Sequence, residues 1–235
     1  MSMIRALIDE TVNVAGFMLR GRRIHPKVRI ADGRICVNLG CGLAVVSGWI
    51  NVDASLNALF AGMPSSILRQ LYRLSGANRY YDEQEYVRLL KEHTFIFHDL
   101  ARSLPFGEST VDVFYSSHFF EHLFKKDAGR LLGEMHSALK SGGLIRIAVP
   151  DLAHAIKLYT NGEAKDMLEN YFFVDDRSSY LARHKYMYDF ESLSVMLAEA
   201  GYQNIRRCQY KEGVCPGIAS LDNRPEETLY VEATR

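Results

Sequence analysis

Short apolar runs, each closed by glycine, proline or a polar residue, recur along this chain and alternate with stretches whose apolar residues fall at helical spacing. Ile35–Leu39, Trp49–Val52, Thr94–Phe97, Val111–Tyr115, Leu144–Val149, Ile205–Tyr210 and Thr228–Ala233 read as strands. Residues 3–19 place Ile4, Leu7, Ile8, Val12, Ala15, Met18 and Leu19 on one helical face. A helix is expected over 126–139, with Leu131, Leu132, Met135 and Leu139 inward and Gly142-Gly143 ending it. Another runs over 190–200, capped by Asp189 and stopped by Gly201. Two or three more fill 152–183. Strands alternating with helices in this order predict an α/β domain, doubly wound around a mostly parallel seven-stranded sheet.

Two departures from a regular pattern stand out. Only six residues, Leu43 to Gly48, separate Gly42 from Trp49. A crossover between parallel strands normally takes about ten or more residues with its helix. The first helix is therefore expected to shrink to about one turn, or the strands to be joined otherwise. Residues 54–93 read as a helical insertion: Pro64 suits a first helical position before Ile67, Leu68, Leu71 and Leu74, and Asp82 with Glu85 makes a capping-box pattern. Residues 1–34 form the N-terminal amphipathic helix and a basic linker, and 35–235 the main domain. The linker carries Arg20, Arg22, Arg23, His25, Lys27 and Arg29. It suits a solvated tail, or a foot on an anionic membrane surface.

Composition narrows the classes. Lys plus Arg and Asp plus Glu both number 28, so no global field recruits nucleic acid, and no aromatic platform stands beside the basic tract. The cysteines at 36, 41, 208 and 215 form no Cys-x-x-Cys pair, which fits a reduced, cytoplasmic protein and gives no zinc site. Asp175-Asp176 reads as a loop or cap rather than a metal pair. No metal site is expected. No apolar run approaches the roughly 18–20 residues that span a bilayer, and the N-terminus does not read as a secretory signal.

The chemistry concentrates in residues 36–53. Gly40-Cys41-Gly42 follows the first strand, and Asp53 ends the second. Glycines at a strand's carboxyl end bare backbone N–H groups to a ligand, and an acidic residue after the next strand suits a ribose diol. The dinucleotide fingerprint Gly-x-Gly-x-x-Gly is broken by Val45 at its sixth position, so a pyrophosphate has no cradle. No Gly-x-x-x-x-Gly-Lys-Ser/Thr occurs, and no Tyr-x-x-x-Lys pair follows the fourth strand. A nucleoside ligand without phosphate remains, and S-adenosylmethionine is the common one.

These residues resemble the class I S-adenosylmethionine-dependent methyltransferases of the broad type 11 group. The likeness is greatest to a small bacterial branch with a compact Leu-Gly-Cys-Gly … Gly-Trp-Ile-Asn-Val-Asp start. It runs through Val37–Gly42, Gly48–Asp53, His98–Leu100, Asp112–Leu123, Leu139–Leu152, His184–Tyr202 and Leu221–Ala233. The resemblance implies a Rossmann-like fold and a cofactor site of Asn38, Gly40, Cys41, Gly42, Asp53, Asp99, Leu100, Ser117 and His118. Within it Asp53 would bind the ribose hydroxyls, and Asp99 would accept from the adenine amino group with Leu100 against the ring. Ser117 and His118 would face the sulfonium. Asn38 stands where the family commonly has an acid. Cys41 also reads as a small residue in a tight turn, Trp49 as core, and Glu121 and His122 as residues that hold their loop.

A hydroxyl acceptor needs its proton removed, and imidazole titrates in the right range. His118, His122 and His184 are candidates. His184 and His118 are the favoured pair, with Tyr186 and Asp189 available to orient His184. Members of the family with this likeness often sit with bacterial surface-glycan biosynthesis, so the resemblance implies a sugar or another small-molecule hydroxyl as acceptor. The alternative is a non-catalytic cofactor-binding or scaffold module in a biosynthetic complex.

Overall fold

The computed structural model describes residues 2–19, 21–25, 27–172 and 183–235, and seven strands in it form one sheet. They are β1 (Cys36–Leu39), β2 (Ile50–Asp53), β3 (Thr94–Phe97), β4 (Val111–Ser117), β5 (Leu139–Pro150), β6 (Gln203–Cys208) and β7 (Thr228–Thr234). Their order is β3-β2-β1-β4-β5-β7-β6. Every pairing is parallel except those of β7 with β5 and β6. The order reverses between β1 and β4, which opens a crevice at the carboxyl ends of the central strands.

The period-two alternation of each strand sorts side chains into two layers. Val37, Leu39, Phe114, Ile145 and Ile147 meet Leu131, Leu132 and Met135 of α5 (Lys125–Ala138) and Leu193 and Leu197 of α8 (Phe190–Glu199). Helix α5 ends before the expected glycines. Leu139 turns extended at φ −65°, ψ 144° and enters β5. Gly142-Gly143 instead sits in an irregularity of β5, between the pairs Val111↔Leu139 and Val113↔Leu144. A Cβ on Gly143 would stand 2.8 Å from the Lys140 carbonyl oxygen, so close backbone approach explains that glycine.

The opposite layer has no first helix. Residues 40–49 are turns and irregular chain, so the expected single turn of helix is missing. Trp49 fills the space. It packs with Cys36, Val113, Tyr115 and Leu144, and with Cys215 and Leu221 from the segment between β6 and β7. That segment contains α9 (Ile218–Leu221) and is clamped to the sheet by Arg146, which is wholly buried. Arg146 Nη2 donates to Asp222 Oδ2 (2.5 Å) and to the Gln209 carbonyl (3.2 Å). Its Nη1 donates to the Glu212 carbonyl (3.0 Å) and to Glu232 Oε1 (3.1 Å). The guanidinium also lies 4.8 Å from the Tyr230 ring centroid. Burial works against this cation, but Asp222 and Glu232 outweigh it and hold its pKa above the usual arginine value.

The 54–93 insertion forms α2 (Leu56–Phe60), α3 (Ser65–Ser75) and α4 (Glu83–Glu92) around Leu68, Leu71, Tyr86 and Leu90. Pro64 immediately precedes α3, and the Asp82 carboxylate caps α4 by accepting from the Glu85 N–H at 2.8 Å. Helix α1 (Ser2–Leu19) packs through Val12, Ala15 and Leu19 against Ala58, Leu59 and Phe97, whereas Met18, expected inward, is exposed. Within the basic tract, Arg23 donates to the Leu104 and Phe106 carbonyls, and Ile24 and Val28 pack on the main core.

After β5 come α6 (Leu152–Thr160), α7 (Ala164–Met167) and a π-helical turn, Leu168–Phe172. Asp175 and Asp176 lie outside the described residues. The edge strand β6 carries a register shift, Asn204 at φ +51°, and Arg206 and Arg207 paired to Glu232 and Asp151. The four cysteines are free thiols. No helix among the described residues is long and apolar enough to cross a membrane. Arg146→Met would leave Asp222 buried without a cation and Glu232 with Arg206 alone, and we expect a loss of about 3–5 kcal/mol in urea unfolding.

Candidate active site

The turn after β1 is held in left-handed geometry by Gly40 (φ +63°) and Gly42 (φ +52°). A Cβ on Gly40 would lie 2.2 Å from the Phe119 ring, so this position takes no side chain. The Gly40 N–H donates to the Val52 carbonyl at 2.8 Å, which ties the turn to β2. Asp53, at the end of β2, accepts from the Gly42 N–H (2.9 Å) through Oδ2 and from the Ser55 N–H (2.7 Å) through Oδ1. Two acceptor oxygens with more lone pairs than these bonds use leave capacity for a diol.

Asn38 is buried and spends its amide on the chain itself: Nδ2 donates to the Ala44 carbonyl (2.8 Å) and to Asn51 Oδ1 (3.2 Å). Asn51 in turn donates to the Thr94 carbonyl at 3.1 Å. The pair fixes the turn and the first three strands. The Cys41 thiol is buried and faces the Gly42 carbonyl, and burial pushes its pKa well above the usual thiol range.

At the end of β3, Asp99 accepts from the Ala101 N–H (3.0 Å) and from Arg102 Nε (2.8 Å). Gly16 of α1 lies directly over it, since a Cβ there would be 2.9 Å from the Asp99 Cβ. Helix α1 thus roofs this end of the crevice. Leu100 is buried in the main core. His98 is buried as well, with Nε2 donating to the Ser103 carbonyl at 2.9 Å.

The third group follows β4. Ser117 ends that strand, and His118 takes φ +50°. His118 Nε2 bonds Thr228 Oγ1 at 3.0 Å, and its Nδ1 lies 3.4 Å from Glu121 Oε1 and 3.5 Å from Arg224 Nη1. Glu121 is 1% exposed, and neither carboxylate oxygen has a hydrogen bond among the described residues. Burial raises its pKa, but His118 and His122 outweigh that and hold it below the ordinary value. The Glu121 backbone carbonyl accepts from the Lys185 and Tyr186 N–H groups, which straps residues 183–186 onto this turn.

His184 Nδ1 contacts the Tyr171 carbonyl at 2.7 Å, and His122 Nδ1 the Arg183 carbonyl at 3.3 Å. A carbonyl only accepts, so each Nδ1 carries a proton, and in the neutral ring each Nε2 keeps its lone pair. The orienting partner of His184 is therefore Tyr171, not Tyr186 or Asp189. Tyr186 packs on the main core with Lys125 over its ring, and Asp189 caps α8.

His118 and His184 share a cleft of about 60 Å³ with Pro150, Asn170, Tyr171, Arg224 and Glu227. Sequence reasoning missed the last four. The Glu121-His122 pair set between Phe120 and Leu123 carried a readable signal, a charged pair inside an apolar run. A larger hollow of about 400 Å³ lies on the insertion, between Arg69 and the α4 residues Glu83 to Glu92, and includes no strand-end residue.

Residues 37–147 match the family model described as a methyltransferase domain. Among solved structures, a possible exported protein of Bordetella parapertussis superposes with TM-score 0.50 at 13% identity, over 96% of this chain and 67% of that one. A SAM-dependent methyltransferase of Archaeoglobus fulgidus gives 0.49 at 16% identity, over 98% and 94%. Another from Mesorhizobium loti gives 0.48 at 18%, over 89% and 93%. At 13% identity the first of these likenesses speaks to fold alone, and the two scoring below 0.5 carry no argument. No curated protein sequence matches significantly.

Residues 37–147 match a methyltransferase domain, and the strand order agrees with a class I S-adenosylmethionine-dependent methyltransferase, type 11-like. The family match supports S-adenosylmethionine as the cofactor. Open space beside Gly42, where a Cβ would meet nothing within 4 Å, and the carboxylates of Asp53 and Asp99 after β2 and β3 would suit that ligand.

Two expectations follow. Asp53→Ala should weaken S-adenosylhomocysteine binding by about 1.5–3 kcal/mol in calorimetry, since it deletes hydrogen bonds to a charged acceptor. The second concerns acid stability. Burial holds the His98 pKa below its ordinary 6.5, so the folded chain binds fewer protons than the unfolded one just below that pH. Stability is then full above about 6.5 and falls as pH drops toward the lowered value. In thermal melts His98→Gln should flatten that dependence.

Proposed function

We propose that this chain transfers a methyl group from S-adenosylmethionine to a hydroxyl of a small polar acceptor, with a sugar of bacterial glycan biosynthesis as the first candidate. The observation that carries the reading is the cleft beside the carboxyl ends of β4 and β5. There two histidines stand with Asn170, Arg224 and Glu227, donors and acceptors suited to a polyol. Its volume, about 60 Å³, admits the reacting group of an acceptor rather than a whole sugar.

When bound, the cofactor supplies a methyl carbon made electrophilic by its sulfonium. Asp53 would hold the ribose hydroxyls, and Asp99 the adenine amino group. The backbone of Gly42, open on its side-chain face, would face the methionyl part. Fixing the acceptor in line with the methyl group is worth on the order of 7–11 kcal/mol. His184 is the preferred general base, because the Tyr171 carbonyl sets its tautomer and leaves Nε2 free to take the hydroxyl proton. His118 has Nε2 on Thr228 and serves better to position the acceptor. Helix α1 exposes Val14, Phe17 and Met18 near the basic tract, which supports peripheral contact with an anionic membrane carrying such an acceptor.

One observation favours a second reading, a non-catalytic module in a biosynthetic complex: the Phe119 ring rests on the Gly40 turn while α1 covers Asp99. Calorimetry separates the two, because a chain that binds neither S-adenosylmethionine nor S-adenosylhomocysteine is the module. For the enzyme, His184→Ala and His118→Ala should retain cofactor binding. Tritiated methyl transfer into a panel of sugar acceptors should fall about 10²–10⁴-fold for His184→Ala. Undiminished transfer in both variants would remove these histidines from the mechanism.

A further inference from the structure

Glu121 presents a physical problem that the methyl-transfer reading leaves unsolved. Its carboxylate is 1% exposed and lacks any hydrogen bond among the described residues. A buried carboxylate in that condition is costly unless something repays its lost hydration. The nearest groups are His118 Nδ1 at 3.4 Å and His122 Nε2 at 3.9 Å, and neither donates to it in hydrogen-bonding geometry. A structural ion pair would close those contacts.

The surrounding histidines are arranged for a different partner. Glu121, His122 and His184 each offer one ligand atom, and the three atoms lie within 4.8 Å of one another. The two imidazole rings stand 5.1 Å apart between centroids. Both commit Nδ1 to a backbone carbonyl, that of Arg183 for His122 and that of Tyr171 for His184. This outer contact typically fixes the tautomer and aim of a metal-ligating histidine, leaving Nε2 to bind.

We propose that Glu121, His122 and His184 bind a divalent first-row transition metal ion. Two imidazoles and one carboxylate suit zinc, cobalt, iron or manganese, whereas magnesium and calcium prefer sets of oxygen ligands. Metal–ligand bonds of about 2.0–2.2 Å place neighbouring ligand atoms about 3.3 Å apart, so binding draws these side chains together by roughly 1 Å. Three protein ligands leave coordination positions open. His184 belongs to both the cluster and the cleft wall, so an open position there faces the space assigned to the acceptor. A hydroxyl bound to the ion would lose its proton to water more readily, and His184 would then be a ligand rather than a base. That use rests on the methyl-transfer reading, whereas the metal site itself does not.

The test uses the full chain without a histidine tag, stripped by chelator and titrated with cobalt(II), then with zinc(II). A single equivalent of cobalt should bind, develop visible absorption bands, and be displaced by zinc. Glu121→Gln and His184→Asn should each weaken binding by about 100-fold or more, while His93→Asn, on the insertion, leaves it unchanged. Far-UV circular dichroism reports whether each variant is folded. If Glu121→Gln does not fold, the partly exposed His184→Asn and the wild-type stoichiometry still decide the matter. Failure of the wild-type chain to take up stoichiometric cobalt or zinc overturns the site. So does wild-type affinity in a folded His184→Asn chain, or preferential uptake of magnesium. None of these readouts depends on turnover, so an inactive chain that binds cobalt sinks the methyl-transfer reading and not the metal site.

Discussion

The whole of one face of the sheet is organised around a buried cation. Arg146 sits in mid-strand with no solvent exposure, and a guanidinium so placed is tolerable only if its donors are satisfied. Asp222, Glu232 and the carbonyls of residues 209 and 212 do this together. Because Asp222, Gln209 and Glu212 belong to the segment joining β6 to β7, the cation draws that segment across the sheet. Cys215 and Leu221 thereby reach Trp49 and cover the strands that a first crossover helix would otherwise cover. The abbreviated β1–β2 connection and the buried arginine are two halves of one solution.

That scaffold brings distant parts of the chain to the carboxyl ends of the strands. The turn after β1, the ends of β2 and β3, the turn after β4, the π-helical turn at 168–172, the strap at 183–186 and the approach to β7 all meet there. The polar groups divide by position. Carboxylates at 53 and 99 lie on the β2–β3 side, where hydroxyl and amino donors would be read. Imidazoles lie on the β4 side, around Glu121, whose buried carboxylate has no hydrogen-bond donor among the described residues. On the proposed reading, such a division would separate the holding of a nucleoside from chemistry at a second ligand, within one crevice at the point where the strand order reverses.

What could be read from the sequence was what local chemistry decides. The strands, the glycine turn at Gly40 and Gly42, the Asp189 cap and the acidic residues after β2 and β3 all depend on near neighbours, and pattern alone places them. The misreadings have long-range causes. Gly142-Gly143 looks like a helix stop until β4 is set beside it, when it becomes a strand irregularity. Tyr171 reaches His184 through a backbone carbonyl, which leaves no trace in residue type. Arg224 and Glu227 enter the cleft only because β7 runs antiparallel beside β5. Arg146 reads as an ordinary strand residue, since its meaning lies in Asp222, whose position along the chain predicts nothing.

The outer rim at β6 has a consequence for how molecules of this protein meet one another. An unpaired strand edge is a template on which a neighbouring chain can add. Here Asn204 kinks the backbone, and the Arg206 and Arg207 side chains stand half in water although each is tethered to an acid. An incoming strand would meet positive charge and a twisted ladder before it found a run of free amides. The rim is self-limiting, and crowded solutions of the folded chain should stay free of sheet-to-sheet polymers.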